Sequence, residues 1–105
     1  MPQTDKFLSY IGISKKAGRL VTGTELTCEA IRNGKIRLAV LASDASANTE
    51  KRLRNCCEYY GVRFVKCFYG SDLLGKAVGS RGRVASVGLT DEGLAEAAIK
   101  SLQKQ

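Results

Sequence analysis

Histidine and tryptophan are absent from this 105-residue chain, and proline occurs once. Without an imidazole there is no Ser-His or Cys-His nucleophile pair and no imidazole ligand for a metal. The four cysteines, Cys28, Cys56, Cys57 and Cys67, form no C-x-x-C pair, and adjacent Cys56 and Cys57 are poorly placed to close a disulfide framework. Free thiols in a reducing cytoplasm, acting as small apolar filler, are the expectation. No run approaches the roughly 20 apolar residues of a membrane span. "MPQTDKFLSY" has no apolar stretch behind a basic one, so no secretory signal is expected. No G-x-x-x-x-G-K-[ST] occurs. Gly75, Gly79 and Gly82 lie between a helix and a strand, the reverse of the order a dinucleotide-binding turn requires. Glu25 and Glu29 stand one helical turn apart. Both are expected in solvent, where nothing would separate their pKa values for acid-base work. These absences remove the usual routes to catalysis, and no enzyme activity, metal or cofactor is expected.

Acids are the scarcer charge: 10 Asp and Glu stand against 17 Lys and Arg, for a net charge of +7. In one domain of this length, residues 1–105, such a balance favours a polyanionic partner. Nucleic acid comes first and an acidic membrane surface second. The basic residues come as "KKAGR" (15–19), "RNGKIR" (32–37), "KRLR" (51–54) and "KAVGSRGR" (76–83), each near a helix end or a loop. That distribution suits a folded surface with several phosphate contacts better than a disordered basic tail. Any one cluster would serve solubility alone; a site needs several to converge.

Hydrophobic spacing alternates helix and strand. Phe7, Leu8 and Ile11 recur at three- and four-residue steps, predicting a helix over Asp5–Lys16 that Gly18 ends. A short strand "RLV" follows, then a helix from Thr22 to Asn33 stopped by Gly34. The apolar run Ile36–Ala42 reads as a strand covered on both faces. A helix over Thr49–Tyr60, a strand over Val62–Phe68, a short helix from Ser71 and a strand over Arg83–Leu89 complete the series. Thr90 is expected to cap a last helix with the apolar stripe Leu94, Ala95, Ala98, Ile99 and Leu102. The alternation implies an α/β fold, a three-layer α/β/α sandwich on a mixed sheet.

The second helix is oddly acidic for so basic a chain. At 100° per residue, Glu25, Glu29 and Arg32 fall within about 60° of one another, opposite Thr27, Ala30 and Ile31, with Leu26 at the border. Two readings stand side by side. Thr22-x-x-Glu25 is a capping box and Glu29–Arg32 an i,i+3 ion pair. Alternatively, Gly23 and Thr24 expose backbone N–H groups at a helix start to phosphate or base edges, with Glu25 accepting from base amino groups.

The order "TGTELTCEAIRNGKIRLAVLASDAS", "CCEYYGVRFV", "LLGKAVG" and "RVASVGL" resembles the ribosomal protein L-seven-Ae superfamily of kink-turn RNA-binding proteins. It is most similar to that superfamily's small stand-alone bacterial members of the YlxQ type. The resemblance implies a four-stranded mixed sheet, cytoplasmic location, no catalysis, and binding of internally looped, sharply kinked RNA, often ribosomal, by a chain that is a monomer when free. The family reads RNA with a Gly-Thr-Asn-Glu helix start, here Gly23, Thr24, Glu25 and Leu26, and with the loop after Leu-Gly-x-Ala-x-Gly, here Ser80 to Val84. The loop Ala42, Ser43 and Asp44 lies alongside. Arg81 and Arg83, flanking Gly82, are expected on the RNA backbone, with Val84 closing that loop, and Gly23, Thr24 and Glu25 near bases. Arg19, Arg32 and Lys35 are expected to help with phosphates. This chain has Glu25-Leu26 where the family has Asn-Glu, Glu29 in place of a lysine one turn on, and Val62-Arg63 for a Val-Pro step. A carboxylate only accepts where an amide also donates, so the base contacts differ from the family's. The alternative implied is a ribosome-associated module that keeps the fold for contacts with ribosomal proteins.

Overall fold

Five helices and four strands alternate along residues 5–103, the part of the chain that the computed structural model describes. They are α1 (Asp5–Lys16), β1 (Leu20–Thr22), α2 (Thr24–Arg32), β2 (Leu38–Leu41), α3 (Ala47–Tyr60), β3 (Arg63–Lys66), α4 (Ser71–Ala77), β4 (Ser86–Leu89) and α5 (Glu92–Gln103). The first residues of the stretch read for a secretory signal lie outside that range. The strand order is β1-β4-β2-β3. β4 runs antiparallel to both β1 and β2, while β2 and β3 are parallel. The four-stranded mixed sheet expected from the resemblance is therefore present.

Central strand β2 is buried along its whole length, as its continuous apolar run demands. Alternation sends Leu38 and Val40 into a cluster with Phe7, Ile11, Leu74, Ala95 and Ala98, on the side of α1, α4 and α5. Ala39 and Leu41 face Cys28, Ile31, Leu53 and Cys57, on the side of α2 and α3. Each fully buried Leu, Ile, Val or Phe contributes about 1.5–3 kcal/mol. Two such layers against one sheet hold the domain without a cross-link, and the four cysteines are free thiols. Burial pushes the Cys57 thiol up to about 12, so it behaves as an apolar side chain at neutral pH.

Several boundaries differ from the sequence expectation, each for a local reason. α2 starts at Thr24 rather than Thr22, because Thr22 pairs with Val87 and Gly23 turns the chain at φ 95°, which favours glycine. α3 starts earlier, at Ala47, since the Ser46 hydroxyl accepts from the Thr49 N–H at 3.1 Å. α5 is capped by Asp91, whose Oδ2 accepts from the Leu94 N–H at 2.9 Å, and not by Thr90. β4 begins at Ser86 instead of Arg83, because the Val84 N–H turns aside to the Ser71 carbonyl.

Candidate nucleic-acid interface

β1, β2 and β3 all end on one side of the molecule, and α2, α3 and α4 start there. Backbone bonds stitch the connecting loops together: Gly23 N–H to Ser86 O, Ala42 N–H to Ala85 O, and Ser43 N–H to Tyr69 O. Gly23 and Thr24, Ser43 and Asp44, and the 81–84 loop thus meet at this end of the sheet, although they are scattered along the chain. Helix starts carry open N–H groups and the positive end of the backbone dipole, so this end attracts anions.

No side chain caps α2. The Thr24 hydroxyl shares a 2.7 Å hydrogen bond with that of buried Ser86, which pins the helix start to β4. Glu25 does not fold back in a capping box. Arg52 of α3 donates to both its carboxylate oxygens, at 2.8 and 2.7 Å, in a bidentate pair. This hydrogen-bonded guanidinium holds the Glu25 carboxyl below its ordinary range. The reason is tertiary: α3 packs beside α2 and offers a better donor than the helix's own N–H. The expected Glu29–Arg32 pair is likewise not formed, and Leu26 is 57% exposed instead of bordering the core.

The second part of the site is built on Asp44. Its Oδ1 accepts from the Ser71 N–H at 2.8 Å, and its Oδ2 from the Ser71 hydroxyl at 3.1 Å and Arg83 Nη1 at 3.3 Å. The Ser71 N–H, ahead of the hydroxyl and Arg83, keeps the Asp44 carboxyl below its usual range. Asp44 is therefore a joint between the β2–α3 loop, the α4 start and the 81–84 loop, with its oxygens already engaged. What faces outward is Arg83, its side chain 73% exposed. Gly75 brings α4 against the Gly82 carbonyl, so closely that a Cβ would collide with it. Arg81 and Gly82 are exposed, with the Gly82 N–H donating to Ser80 Oγ at 3.2 Å. Val84 points the other way, its side chain in the core and its N–H spent on Ser71.

Other expected site residues lie elsewhere. Leu26 and Glu29 follow the outer face of α2 along a groove that Lys15, Asn33 and Lys35 also line. Arg19, Arg32 and Lys35 sit at the opposite end of the sheet, where β1 and β2 begin and α2 finishes. Conversely, Asn48, Lys51, Arg52 and Asn55 of α3 line a cleft beside Thr24. Their three- and four-residue spacing marks one helix face, but only the packing reveals that it faces α2. Phe68 was also missed. It is 68% exposed between buried Cys67 and Tyr69, whose backbones bond to Leu41 and Ser43. An aromatic ring is thus held outward next to the Ser43 loop.

Residues 5–99 match the model of the Ribosomal protein L7Ae/L30e/S12e/Gadd45 family. The chain is 36% identical to a protein of Bacillus subtilis (strain 168) named RNA-binding protein YlxQ, over 92% of this chain and 95% of that one. It is 35% identical to the protein of the same name from Enterococcus faecium, over 87% and 85%. A solved structure of a protein of unknown function from Bacillus halodurans C superposes with a TM-score of 0.85 at 34% identity, covering 93% of this chain and 97% of that one. The Giardia lamblia 15.5kD RNA binding protein has the same fold at 19% identity, with a TM-score of 0.75 over 99% and 88%. By sequence and by fold, this chain belongs to the ribosomal protein L7Ae/L30e/S12e/Gadd45 family.

Proposed function

We propose that this protein binds structured RNA without catalysing a reaction, and that its preferred ligand is a kinked, internally looped RNA of the kink-turn kind, as in ribosomal RNA. One observation carries the reading. The uncapped start of α2, the Asp44–Ser71 joint and the exposed Arg83 share one end of the sheet. A helix start with open N–H groups receives a phosphate or a base edge, and an arginine in a glycine-hinged loop grips the backbone. The RNA-binding names of the relatives support the class of ligand. A soluble monomer acting in the cytoplasm fits this role; among the described residues no helix is long and apolar enough to cross a membrane.

A gel-shift titration against a kink-turn RNA and a straight duplex of equal length tests the reading. Tighter binding to the kinked RNA is expected, and equal affinity would refute the kink-turn preference. Replacing both Arg81 and Arg83 by alanine should lower the slope of log affinity against log salt by about one to two, since each lost duplex phosphate contact removes about 0.9. A second reading, a ribosome-associated module for protein contacts, is favoured by the neutralised Glu25 and the exposed Leu26. It predicts co-sedimentation with ribosomes that persists although isolated RNA is not bound.

A further inference from the structure

The end of the sheet opposite the candidate interface carries Lys15, Arg19, Arg32, Lys35 and Arg37, all exposed and none in an ion pair among the described residues. Their positions follow from the topology. The Arg19 carbonyl accepts from the Thr90 N–H, and the Arg37 N–H donates to the Leu89 carbonyl, so both flank the far end of β4. Lys15 and Lys35 both line the groove beside β1, and Arg32 and Arg37 line a second hollow with Arg63 and Tyr60. At the first end Arg52 is held by Glu25 and Arg83 by Asp44, while Lys51 and Arg81 are exposed and outside any ion pair among the described residues. At the far end Arg63 pairs with Glu92 and Glu96, Asp91 caps α5, and Glu29 stands alone in the groove.

A purely structural purpose accounts for part of this charge. Lys15 and Arg32 occupy the last turns of α1 and α2, where a cation complements the helix dipole. Arg19, Lys35 and Arg37 lie beyond those helices and gain nothing from them. Unpaired cations brought together from two connections, α1–β1 and α2–β2, and from the helix ends that precede them are kept at a cost in mutual repulsion that a polyanion would relieve. α2 separates the two ends by about 13 Å along its nine residues.

We propose that this far end is a second binding surface, which grips the phosphate backbone of another RNA segment with little regard to sequence, so that one protein molecule holds two RNA helices at once. The proposal rests on the RNA reading above in taking RNA as the polyanion. It requires no base contacts and no kink, so it is separable from the first site.

The test uses the full chain, a short fluorescent kink-turn RNA and a plain RNA duplex fixed to beads. The protein should carry the fluorescent RNA onto the beads. Lys35→Glu with Arg37→Glu should reduce that capture at least tenfold and lower the salt slope for the plain duplex by about two, while the affinity for the short kink-turn RNA changes less than about threefold. A control with the same change of net charge, Lys6→Glu with Lys100→Glu on the α1–α5 face, should leave capture near the unmodified level. Equal losses in both variants, or no capture by the unmodified protein, would overturn the proposal. If plain-duplex binding depends on Lys35 and Arg37 but kinked and straight RNA bind alike, the far surface stands and the kink-turn reading falls.

Discussion

At the scale of single residues, the site is set by which partner each charged group finds. Glu25 is acidic in the sequence, yet its carboxylate is occupied by Arg52 on both oxygens, so the pair presents little net charge. Glu25→Gln should free the guanidinium and strengthen binding of an RNA backbone a few-fold in a titration. Both partners are exposed, so urea denaturation should show a stability change below about 1 kcal/mol. A weaker complex instead would mean that the carboxylate itself accepts from a base. Gly88 is a different kind of residue. A Cβ there would meet Ile36 Cδ1 at 2.7 Å and Thr27 Cγ2 at 3.0 Å, in the layer between β4 and α2. Gly88→Ala should therefore cost about 1–3 kcal/mol of stability by overpacking. Neither consequence is readable from the sequence. The 3.6-residue period placed Glu25 on the exposed side of its helix, but periodicity does not name the neighbour.

Among the elements, α4 and the loop that follows it act as one piece. The closeness of Gly75 to the Gly82 carbonyl fixes how far Arg81 and Arg83 stand from the α2 start. Gly75→Ala must push the 80–84 loop outward. The expected result is RNA affinity reduced about tenfold or more in a gel shift, with the helix content seen by circular dichroism unchanged. Phe68→Ala should weaken RNA binding by about 1–3 kcal/mol if its ring stacks on an unpaired base. It should leave the melting temperature unchanged or slightly higher, since the ring buries little. The elements themselves were legible. Long periodic runs such as Asp5–Lys16 and the apolar β2 carry their own signal. Their ends were less so, because Gly23 and Val84 bond to residues far along the chain, while the capping residues Ser46 and Asp91 stand beside neighbours of equal capping ability such as Thr90.

For the whole molecule, charge links stability to pH. The carboxyls of Glu25, Asp44 and Glu50 all lie below their ordinary range because they accept hydrogen bonds in the folded state. A depressed folded pKa gives stability that is present above the unfolded value, about 4 for these groups, and is lost as pH falls through the folded value. The melting temperature should thus be nearly flat from pH 8 to about 5 and decline modestly below about 4, since these are surface pairs that each contribute little. Fold class followed from the sequence alone, because alternating helices and apolar strands leave few ways to bury both faces of a sheet. So did the preference for a polyanion, which needs only the net charge of +7. Where that charge gathers was decided by the tertiary structure. The strand order β1-β4-β2-β3 sends Gly23, Asp44 and Arg83 to one end and Arg19, Arg32 and Lys35 to the other. Chain neighbours are separated and distant loops joined by hydrogen bonds between strands, and no local pattern in the sequence encodes that pairing.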